Sequence, residues 1–549
     1  MTTATATTGN RFTNDPKRWA GLVVLSMSLF IIVLDNTILN VAVPTIIRDL
    51  HTNVSAVQWV ISGYALIFAS LLISFGRIGD IIGRRKMFFI GASLFAVGSL
   101  IASESHSVVQ LFIGESILEG IGAAAMLPAT LAIISATFRG RERGIAFAVW
   151  GAVAGGAGAL GPWLGGILTT DYSWRWAFRI NVIVAPIVII AAIFLVGESK
   201  DERARGFDPF GVVLVTAGLL GLVFGIIEAG RYGWLSAISG TKILGLSPVP
   251  WSILVGLLFL LGFVFLELAR AGVGKPVIFD FRDLVHRGFR YGLINTVVLA
   301  MGEFGAFFLI PLFLQSALHI SALTVGTWLL PAGIAVFVGG GIGGALSHRF
   351  GPKYVITAGL VLEATGIWMY TAAFGPTTDF WSLFPALILH GIGVGFATSQ
   401  LTNVVLSDIP PQKAGSASGA SGMMRQVGTA LGIAVIGAIY VSRSGSNISD
   451  NLAQVRGLPA TVQSQIRSGV TSSQGAAGRP KSIHAPAAQV REVQGAITAG
   501  FSDAASAAMS FAGIVVTLGA LISLLVPNIP PDEERQIEQG EWAGAAAAD

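Results

Sequence analysis

The stretch Gly76-Arg-Ile-Gly-Asp-Ile-Ile-Gly-Arg-Arg-Lys86 decides the fold. It lies between two apolar runs, 55–76 and 87–103. The first is long enough to cross a ~30 Å hydrocarbon core as a helix. Gly76, Gly79 and Gly83 permit a tight turn. Asp80 can accept a hydrogen bond from Arg84 or sit at a helix N-terminus, where the macrodipole favours an anion. A basic anchor on the cytoplasmic side accounts for Arg84, Arg85 and Lys86. It does not account for Asp80 or for the glycine spacing, so the loop has a task besides anchoring.

Outward from this loop the apolar pattern continues in both directions. The chain has 549 residues, 53% hydrophobic and 12% charged, with a mean hydropathy of +0.73. A soluble domain carries about 25% charged residues, so most of this surface does not face water. The apolar blocks predict fourteen spans: 19–43, 55–76, 87–103, 108–137, 145–168, 178–196, 210–229, 250–269, 290–314, 323–346, 355–374, 381–405, 415–441 and 506–527. Only helices satisfy the backbone in single spans of this kind. Residues 1–18 are polar, and the apolar run after them is longer than the ~7–15 residues of a signal h-region. It therefore reads as an uncleaved first span. With the N-terminus in the cytoplasm, most of the 34 Lys and Arg fall in cytoplasmic segments. The short outside loops keep only Arg48, Arg175, Arg179, Arg231 and Lys242, in line with the positive-inside rule. Both termini are then cytoplasmic. Residues 442–505 read as a long outside loop, partly helical near 489–505 and otherwise mobile. The absence of cysteine excludes disulfides, thiolate metal sites and cysteine nucleophiles. A formal charge of +4 is too small to suggest nucleic acid.

The chain also repeats. Glu119-Gly-Ile-Gly recurs as His390-Gly-Ile-Gly, and Ala159-Leu-Gly161 as Ala430-Leu-Gly432, both 271 residues on (390 − 119 and 430 − 159). The loop at Gly76 has a weaker echo in Gly344-Ala-Leu-Ser-His-Arg-Phe-Gly-Pro-Lys353, 268 residues on (344 − 76). Three matches in order and at nearly one offset divide the chain. A cytoplasmic tail occupies 1–18, one six-helix half 19–196, and a linker with two inserted helices 197–289. A second six-helix half follows at 290–527 and a cytoplasmic tail at 528–549. Two halves related in this way suggest a transporter that rocks around a site near the membrane midplane.

At these residues the sequence resembles the major facilitator superfamily, whose signature loop has the form Gly76-x-x-Gly79-Asp80-x-x-Gly83-Arg84-Arg85-Lys86. Leu34-Asp35-Asn36-Thr37-Ile38-Leu39-Asn40-Val41-Ala42-Val43-Pro44 resembles the first-helix motif of its fourteen-helix drug:proton antiporters, the EmrB/QacA type. Gly161-Pro162-Trp163-Leu164-Gly165-Gly166 is similar to the motif that marks exporters within the superfamily. Trp174-Arg175-Trp176-Ala177-Phe178-Arg179-Ile180-Asn181-Val182 and Arg425-Gln426-Val427-Gly428 are similar to further segments of the same family. The resemblance implies the major facilitator fold, with the loop acting as a latch through Asp80, Arg84 and Glu142. It also implies that Gly161, Pro162, Gly165 and Gly166 form a bent, close-packed seal. One departure stands out: span 4 of the family usually carries an arginine and then a glutamine, where this chain has Glu115 and Glu119.

An ionisable group at membrane depth costs at least ~2.5–3.5 kcal/mol and marks a functional position. Glu228 and Glu267 read as solvated span ends beside Arg231 and Arg270, and Glu363 as a structural hydrogen-bonding residue. Asp35, Glu115, Glu119 and Glu303 are the proton-coupling candidates. They fall on the first and fourth helices of a half, which line the cavity in this superfamily. Asp35 and Glu303 are 268 apart (303 − 35) and are expected to face each other across the pseudo-twofold axis. Crowded carboxyls in a low-dielectric cavity cannot all ionise, so at least one keeps its proton at neutral pH. Arg425, a basic residue inside a span, requires an anion such as Asp408 or a cavity glutamate. Phe30, Trp59, Phe304, Phe307, His390, Asn403 and Arg425 are candidates for the substrate cavity, whose apolar, aromatic wall suits amphipathic molecules.

The chain therefore reads as an all-α polytopic protein of the cytoplasmic membrane that expels small amphipathic compounds as protons enter. An exporter of one metabolite, an uptake carrier of the same fold and a non-transporting sensor are the alternatives. The expected partners are protons, a small-molecule substrate and lipid, with no nucleic acid and the chain acting as a monomer. No cofactor, metal or catalytic residue is expected, because no phosphate-binding Gly-x-x-x-x-Gly-Lys-Ser/Thr loop and no nucleophile cluster occurs.

Overall fold

Fourteen long helices account for nearly all of the described chain. The computed structural model describes residues 17–138, 140–200, 206, 208–237, 241–409, 414–455 and 487–528. The helices are α1 Lys17–Asp49, α2 Val54–Ile82, α3 Arg84–Ser103, α4 Val108–Thr137, α5 Gly140–Ile167, α6 Trp176–Leu195, α7 Pro209–Tyr232, α8 Pro248–Gly272, α9 Arg287–Ser316, α10 Ala322–Phe350, α11 Pro352–Ala373, α12 Phe380–Ser407, α13 Ala414–Ala453 and α14 Ala487–Ser523. Thirteen of them, all but α5, are long and apolar enough to cross a membrane. No strand occurs among the described residues beyond an isolated bridge between Ile243 and Leu246. The tails, residues 456–486 and the basic residues Arg11, Arg139, Arg203, Arg205, Lys413 and Arg535 lie outside the described residues.

The sequence sets the helix starts through side chains that satisfy otherwise orphaned backbone N–H groups. Asn53 accepts from Ala56, Ser107 from Gln110, and Asp208, just before Pro209, from Gly211. Asp379 and Ser382 reciprocate in a capping box at α12. Helices α1 to α6 pack on one another, as do α9 to α14, while α7 pairs with α8 and lies against α2 and α13. Two seams join the groups: α5 packs along α10, and α2 along α13. The free face of α8, with Leu254, Val255, Leu257, Leu258, Leu261 and Phe265, is exposed and apolar, as a surface bathed in acyl chains requires.

Three features differ from the sequence reading. Helices α13 and α14 have 40 and 37 residues, far longer than the ~20 needed to span. Of the proposed outside loop 442–505, the stretches 442–453 and 487–505 are therefore helical extensions of these two spans. Their register is fixed by stacking of Tyr440 on Phe501 and by Asn451 Nδ2 donating to the Ala496 carbonyl at 3.3 Å. Glu267 is buried rather than solvated, and its carboxylate accepts from the backbone N–H groups of Ile278 and Phe279 at 2.8 and 3.3 Å. Arg270, its expected neighbour, pairs with Asp208 at 3.0 Å. Glu228 is likewise buried. It accepts from Trp59 Nε1 at 3.1 Å and so fastens α7 to α2, with Arg231 only at 3.8 Å.

Candidate functional site

Asp35 sits midway along α1 and is fully buried. Its Oδ1 accepts from Asn181 Nδ2 on α6 at 3.0 Å, and its Oδ2 has no hydrogen-bond partner. Opposite it, the turns Phe112–Glu119 of α4 are wound as a π-helix, a geometry frequent at functional sites. Those turns carry Glu115 and Glu119, both buried. Oxygens of Asp35, Glu115 and Glu119 lie within 4.8 Å of one another. Glu115 Oε2 and both Glu119 oxygens lack partners. The hydroxyl of buried Tyr64, also unpartnered, comes from α2 into the field of all three. Glycine makes this crowding possible: a Cβ on Gly98 would lie 2.7 Å from Glu119 Cγ.

In the second group Arg425 of α13 donates from Nη2 to Glu303 Oε2 on α9 at 2.9 Å, and its guanidinium lies 5.6 Å from the centre of the Phe304 ring. Asp408, the other expected partner, instead accepts from the backbone N–H of Gly288 at 2.7 Å. Asp35 and Glu303, expected to face each other, have different polar partners. Each makes its polar contacts within its own group of helices. Glu363 on α11 was expected to be hydrogen-bonded, yet it is fully buried with both oxygens unpartnered. His390 lies between the rings of Phe307 and Tyr370, each 5.7 Å away, with neither ring nitrogen bonded.

The first-helix and exporter motifs meet each other. Gly161 and Gly165 face Thr37 and Ile38 of α1, while Gly166 faces Ala322 and Leu323 of α10. Pro162 lies against Gly326. A cavity of about 10 Å³, lined by Thr37, Asn40, Val41, Gly158, Pro162, Phe307 and Leu329, remains between α1, α5, α9 and α10. That is room for about one water. Leu323 N donates to Thr170 Oγ1 at 3.0 Å and Gln315 Nε2 to the Val41 carbonyl at 2.9 Å, closing the same end of the seam. A larger groove, about 420 Å³ and apolar, lies far from the acids beside Trp234, Leu235 and Leu254.

In the signature loop, Gly83 adopts φ +116°, which only glycine takes without strain. Arg84 Nε donates to Asp80 Oδ1 at 2.8 Å and Arg84 Nη1 to the Ala132 carbonyl at 3.4 Å. Glu198, after α6, accepts from Arg85 N at 3.0 Å. Gly76 packs on Pro128 and Gly79 on Met87. Glu142 is not part of this latch and pairs with Arg18 at 2.8 Å. Of the aromatic candidates, Trp59 docks α7, Phe304 lies under Arg425, and Phe30 packs partly buried between two core clusters. Asn403 Nδ2 lies 3.4 Å from Gln400 Oε1.

A family model described as Major Facilitator Superfamily matches residues 25–433. The chain belongs to the major facilitator superfamily. It is 33% identical over 442 residues to the puromycin resistance protein pur8 of Streptomyces alboniger, covering 80% of this chain and 84% of that protein. It is 29% identical over 517 residues to a tetracenomycin C resistance and export protein of Streptomyces glaucescens, covering 94% and 93%. It is 31% identical over 446 residues to the multidrug resistance protein Stp of Mycobacterium tuberculosis, covering 81% and 80%. The fold matches, with TM-score 0.61 and 16% identity, the crystal structure of a bacterial homologue of the human lysosomal transporter Spinster, covering 97% of this chain and all of that one. A member of this superfamily is a multi-pass membrane transporter rather than an enzyme, and these relatives are named for resistance to antibiotics and drugs or for their export.

Asn181 and Tyr64 join the site without having been candidates from the sequence. Both were visible as polar residues inside apolar runs. What placed them was the contact between α1, α2, α4 and α6, which no local pattern specifies. The seal supports a direct prediction. A Cβ on Gly166 would lie 2.7 Å from the Ala322 carbonyl oxygen and 2.9 Å from Leu323 Cα, and backbone cannot yield as a side chain can. Gly166→Leu is expected to part α5 from α10 and let protons leak across vesicles without substrate. A leak rate equal to the parent's would show that the contact is packing alone.

Proposed function

We propose that this chain is a fourteen-span drug:proton antiporter of the EmrB/QacA type, with α5 as the fourteenth span and both termini in the cytoplasm. It acts as a monomer in the cytoplasmic membrane, without a cofactor, and expels small amphipathic compounds as protons enter. The observation that carries this reading is the Asp35–Glu115–Glu119 cluster. Three carboxyls within 4.8 Å of one another, buried and with unpartnered oxygens, have no cation beside them among the described residues. At an effective dielectric of ~20, two charges at ~4 Å repel by about 4 kcal/mol. The cluster therefore exchanges its negative charge for protons, and a change of access between the two sides turns that exchange into coupling. The names of the relatives support export of antibiotics and drugs.

The test is reconstitution in vesicles with an imposed pH gradient, screening dyes and antibiotics for uphill movement. No gradient-dependent movement of any compound would remove the antiport reading. Movement of one compound alone would make this a dedicated exporter, as the single antibiotics in two relatives' names would suit.

The signature loop adds an expectation about rate. The Asp80–Arg84 pair is partly exposed, and such pairs contribute only ~0–1 kcal/mol to stability. Asp80→Ala should thus leave the fold and equilibrium substrate binding intact while slowing turnover. If binding falls in step with transport, the loop belongs to the binding site and is no latch.

A further inference from the structure

Glu363 is an acid that the coupling scheme above leaves unused, and its surroundings give it a task. It lies on the buried face of α11, which packs closely on α12. There a Cβ on Gly359 would be 2.7 Å from the Gly393 carbonyl oxygen, and Gly393 in turn packs on the Glu363 backbone. From this contact the carboxyl reaches toward α9. Gly302 receives it, and a Cβ at that position would come within 2.5 Å of Glu363 Oε1. The next residue on α9 is Glu303, the partner of Arg425. Helix α11 packs on α9, α10, α12 and α14. Glu303 and Arg425 are the charged side chains that act on Glu363, and His390 of α12 and Tyr370 of α11, whose rings lie 5.7 Å apart, are the titratable neighbours along the same α11–α12 contact. The site thus holds two carboxyls and one guanidinium. Glu363, fully enclosed, forms the rear of it. Arg425, 32% exposed, forms the front.

We propose that Glu363 is a proton reservoir behind Glu303 and that Arg425 selects which of the two carboxyls is ionised. This rests on the proton-coupled reading above and extends it to the second half of the chain. With Arg425 on Glu303, charge is balanced by one carboxylate, and Glu363 is the neutral acid. When Arg425 leaves Glu303, the O–H bond of Glu363 breaks and an O–H bond forms on Glu303. The negative charge moves to Glu363, which becomes the new partner of the guanidinium. Glu303, at the front, then releases the proton to the cavity. A guanidinium has five donors in a planar fork and does not lose its own proton, so it can change partners without entering the proton count. The first half of the chain offers no equivalent. The positions 268 and 271 residues before Glu363 are Phe95 and Ala92 (363 − 268 and 363 − 271), and its buried acids lie on α1 and α4.

The full chain in vesicles tests this with two readouts. Glu363→Gln is expected to keep downhill substrate exchange near the parent level and to lose at least ~10-fold in gradient-driven transport, the pattern of a lost driving step rather than lost binding. Glu363→Asp, which retains the acid, should recover part of it. Infrared spectra of the detergent-purified protein at neutral pH give the second readout. The carbonyl stretch of a protonated carboxyl should be lost in Glu363→Gln and shifted in Glu363→Asp. Gradient-driven transport equal to the parent's in Glu363→Gln would overturn the proposal. A protonated-carboxyl band unmoved in Glu363→Asp would do the same, even with transport reduced. Should Glu363→Gln fail to fold, the Glu363→Asp spectrum decides by itself. A parent protein that shows no gradient-driven transport would count against antiport, while the infrared band still reports on Glu363 alone.

Discussion

Asp35→Asn abolishes gradient-driven export and leaves the protein folded, inserted and able to exchange substrate downhill. The structure supplies the reason for both halves of this expectation. Asparagine has the shape of aspartate, and its carbonyl oxygen can still accept from Asn181 Nδ2, which now lies 3.0 Å from Asp35 Oδ1. The contact between α1 and α6 therefore survives. The loss of a buried acid is not a loss of stability in itself, because burying charge costs free energy that pairing only partly returns. What disappears is a group able to take and give a proton at the point where α1, α4 and α6 meet. Glu115 and Glu119 remain, but both belong to α4, and no buried acid is then left on α1 to couple their protonation to the helix that α5 seals. Measurement of uphill accumulation, substrate counterflow and melting temperature on one preparation separates the cases. Uphill accumulation equal to the parent's would remove Asp35 from the coupling path. Loss of all three would make it a structural residue.

The fold was legible because its cues are local. Apolar run lengths and the basic residues flanking them mark helices without reference to the rest of the chain. Glycine, proline and capping residues then fix most ends within a few positions. The misread segment is instructive. Residues 442–453 carry Ser, Asn and Asp, which lower hydropathy and read as loop. There α13 is held helical by packing against α14, through Ile448 on Gly500 and Tyr440 on Phe501, a tertiary effect that composition does not carry. The site was legible by residue type and less so by partner. Each acid stood out against its apolar run, and the spacing of Glu115 and Glu119 put both on one face. The repeat offset related Asp35 to Glu303 by position in the chain. It could not show that Asp35 would find its neighbours on α4 and Glu303 its neighbour on α13, since that depends on side-chain direction across three helices. Glu228 and Glu267 were misjudged for a related reason. Nearness to a span end suggested solvent, but the insert folds back and buries both, one against Trp59 and the other under the backbone of Ile278 and Phe279.

Glu115→Gln discriminates between substrates by charge: transport of lipophilic cations falls about tenfold or more, and transport of neutral compounds of similar size changes little. The expected size follows from Coulomb's law. One unit of charge at ~4 Å and an effective dielectric of ~20 is worth about 4 kcal/mol, and ~1.4 kcal/mol is already tenfold in affinity. Even a third of the full interaction, with the substrate's charge farther off or partly hydrated, reaches that level. The position is unusual in its setting. Where the resembling family carries an arginine, this chain places an acid within 4.8 Å of two others, on turns whose π-helical winding widens the helix at that level. An arginine there would pair with Asp35 and Glu119 and repel a cationic guest. A glutamate adds to their field and attracts one. Glu115→Arg restores the family residue and should reject cations while still passing neutral compounds. If Glu115→Arg carries cations as well as the parent does, the position needs only a charge of either sign to order Asp35 and Glu119. If Glu115→Gln keeps the parent's preference for cations, then Glu115 does not meet the substrate, and cation recognition rests on Asp35, Glu119 or the Glu303 side of the cavity.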